Sequence, residues 1–204
     1  MKKRLYAAYG SNLNKAQMKA RCPTAKLCGT GVIHDYELQF KGQPHGAYAT
    51  IAPKKGASVP VAVWELKLSD EFSLDRYEGY PTHYFKENVP VDMDGETVET
   101  MAYIMNLRMG FGLPHEYYYD TVRKGYQDCG LDVSMLNEAV SSSAQRFYSD
   151  YTAYGAQQSL FDHRYRVVTP EAEDPEDAYQ DDDIDAFPDD EPDESDPFYC
   201  PGMM

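Results

Sequence analysis

Apolar positions fall in short alternating runs over the first half of the chain and at helical spacing later. Arg4-Leu5-Tyr6-Ala7-Ala8-Tyr9 reads as a first strand that ends at Gly10. Asn14 is placed to cap a short helix reaching about Arg21, which Pro23 stops. Val32, Ile33, Tyr36, Leu38 and Phe40 mark a second strand. The turn cluster Gly42-Gln43-Pro44-His45-Gly46 and a short strand, Ala47–Ala52, follow it. Val59–Leu68 alternates again, with Val59, Val61 and Val63 on one face and Ala62, Trp64, Leu66 and Leu68 on the other. Ser69 then predicts an N-cap for a helix over about 70–78, with Asp70 and Glu71 at its positive end and Gly79 at C′. Tyr84–Val91 and Val98–Met105 flank Asp94-Gly95, a hairpin signal. Pro114 predicts the opening of a helix that Gly130 closes, and Asp132 or Ser134 caps another reaching about Tyr148.

Strands dominate, with a short helix inserted after the fourth and helices at the end. That order predicts the α+β class: a small, mixed, partly closed β-barrel of five or six strands with short helices. No repeat of 20–50 residues is visible. The expected organisation is one domain over residues 1–150, a connecting segment over 151–168 and a tail over 169–204.

Charge changes the picture at the tail. The formal net charge of −15 comes from 34 acids against 19 bases. From Thr169 onward there are 15 acids and no Lys or Arg, which leaves a neutral body of 19 acids and 19 bases. A segment of Asp, Glu and Pro with few large apolar residues cannot bury enough surface to offset its ordering entropy, so disorder is expected there. The overall balance argues against direct binding to nucleic acid. Cys22, Cys28, Cys129 and Cys200 form no CxxC pair, and reduced thiols in a cytoplasmic protein are expected. No apolar h-region follows Met1-Lys2-Lys3-Arg4, and no run of 18 apolar residues predicts a membrane span. The five histidines show no HxxxH spacing, and Gly29-Thr30-Gly31 is only a GxG, so neither a metal nor any other cofactor is expected.

Two segments could carry chemistry. Tyr9-Gly10-Ser11-Asn12-Leu13 leaves the first strand with a glycine that lets the backbone approach a ligand closely. Its successive N–H groups can form an anion-binding concavity, and Ser11 and Asn12 add short polar groups. The plain alternative is an ordinary turn. The second segment is Leu74-Asp75-Arg76-Tyr77-Glu78-Gly79-Tyr80-Pro81. Glu78 falls at the negative end of its helix, and apolar neighbours (Tyr77, Tyr80, Phe85) would add desolvation, both raising its pKa. A carboxylate moved toward neutrality suits a general acid/base; the alternative is a solvated Glu at a helix end.

Taken in order, Tyr6-Ala7-Ala8-Tyr9-Gly10-Ser11-Asn12-Leu13, then Ala49-Thr50-Ile51, then Leu74-Asp75-x-x-Glu78-Gly79 resemble the γ-glutamylcyclotransferase-like family. Tyr84, the run Ala102-Tyr103-Ile104-Met105, and a terminal helix beginning near Pro114 with Tyr118 extend the match. It covers residues 4 to about 145. The segment after Glu78, Gly-Tyr-Pro-Thr-His-Tyr, has the form associated with bacterial members.

The resemblance implies a cofactor-free intramolecular acyl transfer. The α-amine of a γ-glutamyl amide attacks its own γ-carbonyl, which yields 5-oxoproline and releases an amine or amino acid. Glu78 matches the family's proton acceptor. Tyr6, Ala7, Ala8, Tyr9, Gly10 and Ser11 match its substrate-binding segment, which Asn12 completes. Tyr118 is chosen over Tyr117 and Tyr119 as the substrate-contacting tyrosine by its distance from Gly125. Tyr84 and Tyr103 are expected to line the pocket; the alternative for each Tyr is a core aromatic.

A different class of function stands beside this one. Gln157-Gln158-Ser159-Leu160-Phe161 resembles the QxxLF peptides by which bacterial replication proteins dock on the sliding clamp, as extended segments with two apolar anchors. The alternative there is an apolar segment packed back on the domain. The tail's alternation of acids with Ile184, Phe187 and Phe198 suits either an interaction tail or a solvating one. On that reading the chain is a non-catalytic binding module that uses the same cavity and recruits partners through either segment.

Overall fold

β1 (Arg4–Ala8) stands between two strands that come much later in the chain, in a computed structural model that describes residues 4–164, with side chains to residue 154. A 3-10 turn (Ser11–Leu13), α1 (Lys15–Arg21), β2 (Lys26–Gln43), β3 (Gly46–Leu66) and α2 (Leu68–Tyr77) follow. Next come β4 (Tyr84–Met93), β5 (Glu96–Met105), α3 (Glu116–Cys129) and α4 (Val133–Arg164). The strands form a closed barrel in the order β1-β3-β2-β4-β5. All pairings are antiparallel except β1 with β5, which meet in parallel at Tyr6 and Met101 and close the ring. The mixed α+β barrel is the one the pattern predicts, with closure complete.

Where the pattern predicts separate strands over 47–52 and 59–68, β3 runs unbroken. The polar stretch Pro53–Gly56 is carried as an irregularity between the His34–Ser58 and Tyr36–Pro53 pairs. There Asp35 and Gly56 both take positive φ, and the Asp35 carboxylate accepts from the Gly56 N–H at 2.7 Å. Such a bulge bends a long strand without ending it. Both faces of β3 are buried from Val59 to Trp64. Leu68 is instead the first residue of α2 and is 57% exposed. Gly29 and Gly31 belong to β2, and a Cβ at Gly31 would lie 2.5 Å from Val91, so this GxG serves close strand packing.

Asn14 caps α1 as expected, accepting from the N–H groups of Ala16 and Gln17 at 3.1 Å. Ser69 does not cap α2. The N-cap is Lys67, whose N–H donates to the Asp70 carboxylate at 3.0 Å. Pro114 lies ahead of α3, whose N-cap is His115. The predicted hairpin forms with Asp94 and Gly95 at φ 54 and 86. Asp132 accepts from the Ser134 N–H at 2.9 Å at the head of α4. That helix continues past Tyr148 to Arg164 because Ala153, Ala156, Gln157, Gln158 and Leu160 are good helix formers and no proline intervenes.

Met1–Tyr151 forms one compact unit. Its core runs from the barrel interior (Ile33, Phe40, Ile51, Val61) to residues under the helices (Leu13, Met18, Leu74, Val122, Tyr126). Each such side chain contributes about 1.5–3 kcal/mol on burial. α3 lies close against the Ser11–Leu13 turn, because a Cβ at Gly125 would come within 2.5 Å of Leu13 Cβ. Beyond this unit the described part is the remainder of α4. Gln157–Phe161 falls within that helical span, whereas clamp docking needs it extended; its side chains, and the whole acidic segment 169–204, lie outside the described residues.

Candidate active site

The chain leaving β1 and the chain leaving α2 meet at one pocket. Tyr9–Leu13 turns out of the strand, and the Leu13 N–H donates to the Gly10 carbonyl at 3.0 Å to close that turn. α2 ends where the Glu78 N–H donates to the Leu74 carbonyl at 2.8 Å, and Gly79 at φ 60 then turns the chain away. One amide joins the two ends: Asn12 Nδ2 donates to Glu78 Oε1 at 2.9 Å and to Tyr6 Oη at 2.9 Å. A pocket of about 280 Å³, mouth included, opens there. Tyr6, Tyr9, Gly10, Ser11, Asn12, Ala49, Glu78, Tyr84, Tyr103 and Tyr118 line it.

The tyrosines are anchored from behind. Tyr84 Oη donates to the Ala49 carbonyl at 3.0 Å, and Tyr118 Oη accepts from the Ala49 N–H at 3.2 Å. Tyr9 Oη donates to the Tyr103 carbonyl, and Tyr103 Oη donates to Asp75 at 2.6 Å. Burial pushes the pKa of each of these four hydroxyls upward. They remain neutral hydrogen-bonding groups near pH 7. Gly10 allows the loop to approach this wall, since a Cβ would sit 3.2 Å from Tyr118 Oη.

Glu78 is half-buried, with its carboxylate enclosed by the pocket walls below an open mouth. Burial is the main influence on it and pushes its pKa up to about 7, against the opposing pull of the Arg21 charge and the Asn12 hydrogen bond. A carboxyl poised there can accept a proton and return it. Among the described residues no three His, Cys, Asp or Glu side chains converge as a metal site requires. No helix among them is long and apolar enough to cross a membrane.

The family model described as gamma-glutamyl cyclotransferase, AIG2-like, matches residues 6–127, well over half of the chain. The chain belongs to this family. A Mus musculus gamma-glutamylcyclotransferase is 30% identical over 136 residues, which span 62% of this chain and 72% of the mouse protein. A Bos taurus gamma-glutamylcyclotransferase is 34% identical over 103 residues, spanning 47% of this chain and 53%, about half, of the bovine protein. A solved structure of a gamma-glutamyl cyclotransferase superposes with a TM-score of 0.62 at 27% identity, covering 68% of this chain and 86% of the other.

Within this cyclotransferase-family barrel, eight of the ten residues singled out as substrate-binding, together with Glu78, share one pocket. Ala7 and Ala8 do not line it; both are fully buried in β1, paired with Val63 and Ala62. Of the three adjacent tyrosines, Tyr118 faces the pocket, Tyr117 is exposed and Tyr119 reaches Asn137. The groups that desolvate Glu78 differ from those expected, because Tyr80 and Phe85 are 42% and 38% exposed and do not line the pocket. Two further residues belong to the site. Ala49 was legible only as part of a motif. Arg21, whose Nη1 donates to Asn12 Oδ1 at 2.6 Å and to Ser11 Oγ at 3.1 Å, left no sequence signal, being nine residues from its partner across a helix.

Proposed function

We propose that this cyclotransferase-family chain cyclises a γ-glutamyl amide to 5-oxoproline and releases the amine or amino acid, with Glu78 as general acid/base. The observation that carries the reading is a single carboxyl, its pKa raised to about 7, facing the Tyr9–Asn12 loop in an aromatic pocket. The substrate's α-ammonium is not a nucleophile until a base takes its proton. Glu78 accepts that proton, the freed amine attacks the γ-carbonyl in the same molecule, and the carboxyl returns the proton to the leaving nitrogen. The regenerated carboxylate then takes the extra proton from the ring nitrogen and passes it to the released amine. One acid/base suffices, because nucleophile and electrophile arrive already joined. The remaining task is to fold an extended glutamyl chain for attack, which the loop and the tyrosine wall do by shape. The names and similarity of the mammalian relatives support the substrate class.

The test is a panel of γ-glutamyl amino acids, γ-glutamyl amines and γ-glutamyl peptides incubated with the protein and scored for 5-oxoproline by mass. Release from at least one class is expected. Binding of these compounds without release would make the domain a binding module, the alternative that the sequence leaves open. A buried carboxyl held at an energetic disadvantage favours catalysis, since a binder gains nothing from it.

A further inference from the structure

Arg21 closes α1 and is the cation that acts on the Glu78 carboxyl in this pocket. Its guanidinium is held in three ways. Cζ stacks 3.6 Å from the centroid of the Tyr77 ring, one amino group donates to Gln17 Oε1, and Nη1 donates to both Asn12 Oδ1 and Ser11 Oγ. A guanidinium only donates. The Asn12 atom facing it must therefore be the carbonyl oxygen, which turns the NH2 group toward Tyr6 Oη and Glu78 Oε1. Without that neighbour the amide could present either end, since its two ends have nearly the same shape. The same logic applies at Ser11. Its oxygen accepts from Arg21, so its hydrogen is available to Tyr77 Oη, 3.4 Å away, or to a ligand.

We propose that Arg21 is a positioning residue that fixes the donor–acceptor polarity of the pocket, orienting Asn12 to donate to Glu78 and leaving the Ser11 hydroxyl to donate outward. The assignment rests on the cyclotransferase reading for its catalytic consequence and on geometry alone for its structural one. An Asn12 amide fixed as a donor stabilises the ionised carboxylate and so keeps Glu78 able to act as a base near neutrality. The other groups facing Glu78 are Tyr6 and Tyr9 from β1, Tyr84 from β4, Tyr103 from β5 and Tyr118 from α3, with the Cys22 thiol beyond. None of these brings a positive charge.

The test is a direct titration of the Glu78 carboxyl by carbon NMR in full-length protein with isotope-labelled glutamate, the signal being assigned by its loss in Glu78→Gln. In Arg21→Met the midpoint should rise by about one unit, and Arg21→Lys, which restores charge and one donor, should recover part of that rise. In an Asn12→Ala background the effect of Arg21→Met should be smaller, because the route through the amide is gone and only the direct pull of the charge remains. A midpoint unchanged in Arg21→Met, or a shift equally large in the Asn12→Ala background, overturns the proposal. Should Arg21→Met fail to fold, the same comparison made with Arg21→Lys decides it. The catalytic consequence is read separately, as an upward shift of the pH–rate midpoint in Arg21→Met. If the unmodified protein forms no 5-oxoproline from any γ-glutamyl compound, the cyclotransferase reading fails while the titration still judges Arg21.

Discussion

Two carboxyls on this barrel are both taken partly out of water and end on opposite sides of the ordinary glutamate range. Glu37 on β2 is desolvated, yet Arg146 grips it with two nitrogens at 2.7 and 3.0 Å, and Lys54 and Gln39 each donate at 2.6 Å. Those donors outweigh burial and pull its pKa down to about 2. Glu78 receives the single Asn12 hydrogen bond within an aromatic enclosure, and its pKa rises to about 7. Burial alone therefore does not poise a carboxyl for proton transfer; burial with too few donors does. Glu37 ties α4 to the barrel as a fixed anion. Glu78 keeps its proton affinity and, with it, a capacity to react.

The stability consequences of the two sites have opposite sign. Glu37 has a depressed folded-state pKa, so its contribution is full above about pH 4.5 and is lost as pH falls toward 2. Glu37→Gln should cost about 2–3 kcal/mol at pH 7 by denaturant unfolding, with the gap closing below pH 3. A gap that persists at pH 2 would mean that packing, not charge, holds this contact. Glu78 has a raised pKa, so its ionisation destabilises the fold progressively as pH rises from about 4.5 to 7. Glu78→Gln should match the unmodified protein at pH 4 and exceed it by about 1–2 kcal/mol at pH 8, less than the full shift implies because the pocket opens to solvent. Were the variant less stable at pH 8, Glu78 would be an anion held as favourably as Glu37.

The acidic segment gives the smallest effect. With 15 acids and no base from Thr169 onward, it is proposed to take no part in either environment. Truncation after Val168 should leave the melting temperature unchanged, and a drop of several degrees would show that it packs on the domain.

Local signals were legible where local physics decides. The Asn14 cap, the Asp94-Gly95 turn and the Gly130 stop are set by residues within a few positions of one another, and each lies where the pattern predicts. The loop and Glu78 were legible as motifs, although 66 residues separate Asn12 from the carboxyl it touches. What pattern could not reach was decided by tertiary contact. The Pro53–Gly56 stretch looks like a loop and is a bulge, because Asp35 from the partner strand satisfies the Gly56 N–H. The residues that desolvate Glu78 come from β1, β4, β5 and α3 rather than from its own neighbourhood, so adjacency in sequence selected Tyr80 and Phe85 wrongly. Arg21 was invisible for the same reason.

Glu78 is proposed to move the proton in the cyclisation. The direct measurement is the pH dependence of kcat/KM for 5-oxoproline release, made on the unmodified protein and on Glu78→Gln with the best γ-glutamyl substrate from the panel. The rate should rise with pH through a midpoint near 7 as the carboxyl ionises. The variant should lose that midpoint and about 10²–10⁴-fold in turnover while still binding the substrate. A Glu78→Gln protein that turns over within about tenfold of the unmodified rate, with the same pH midpoint, would show that Glu78 is not the base.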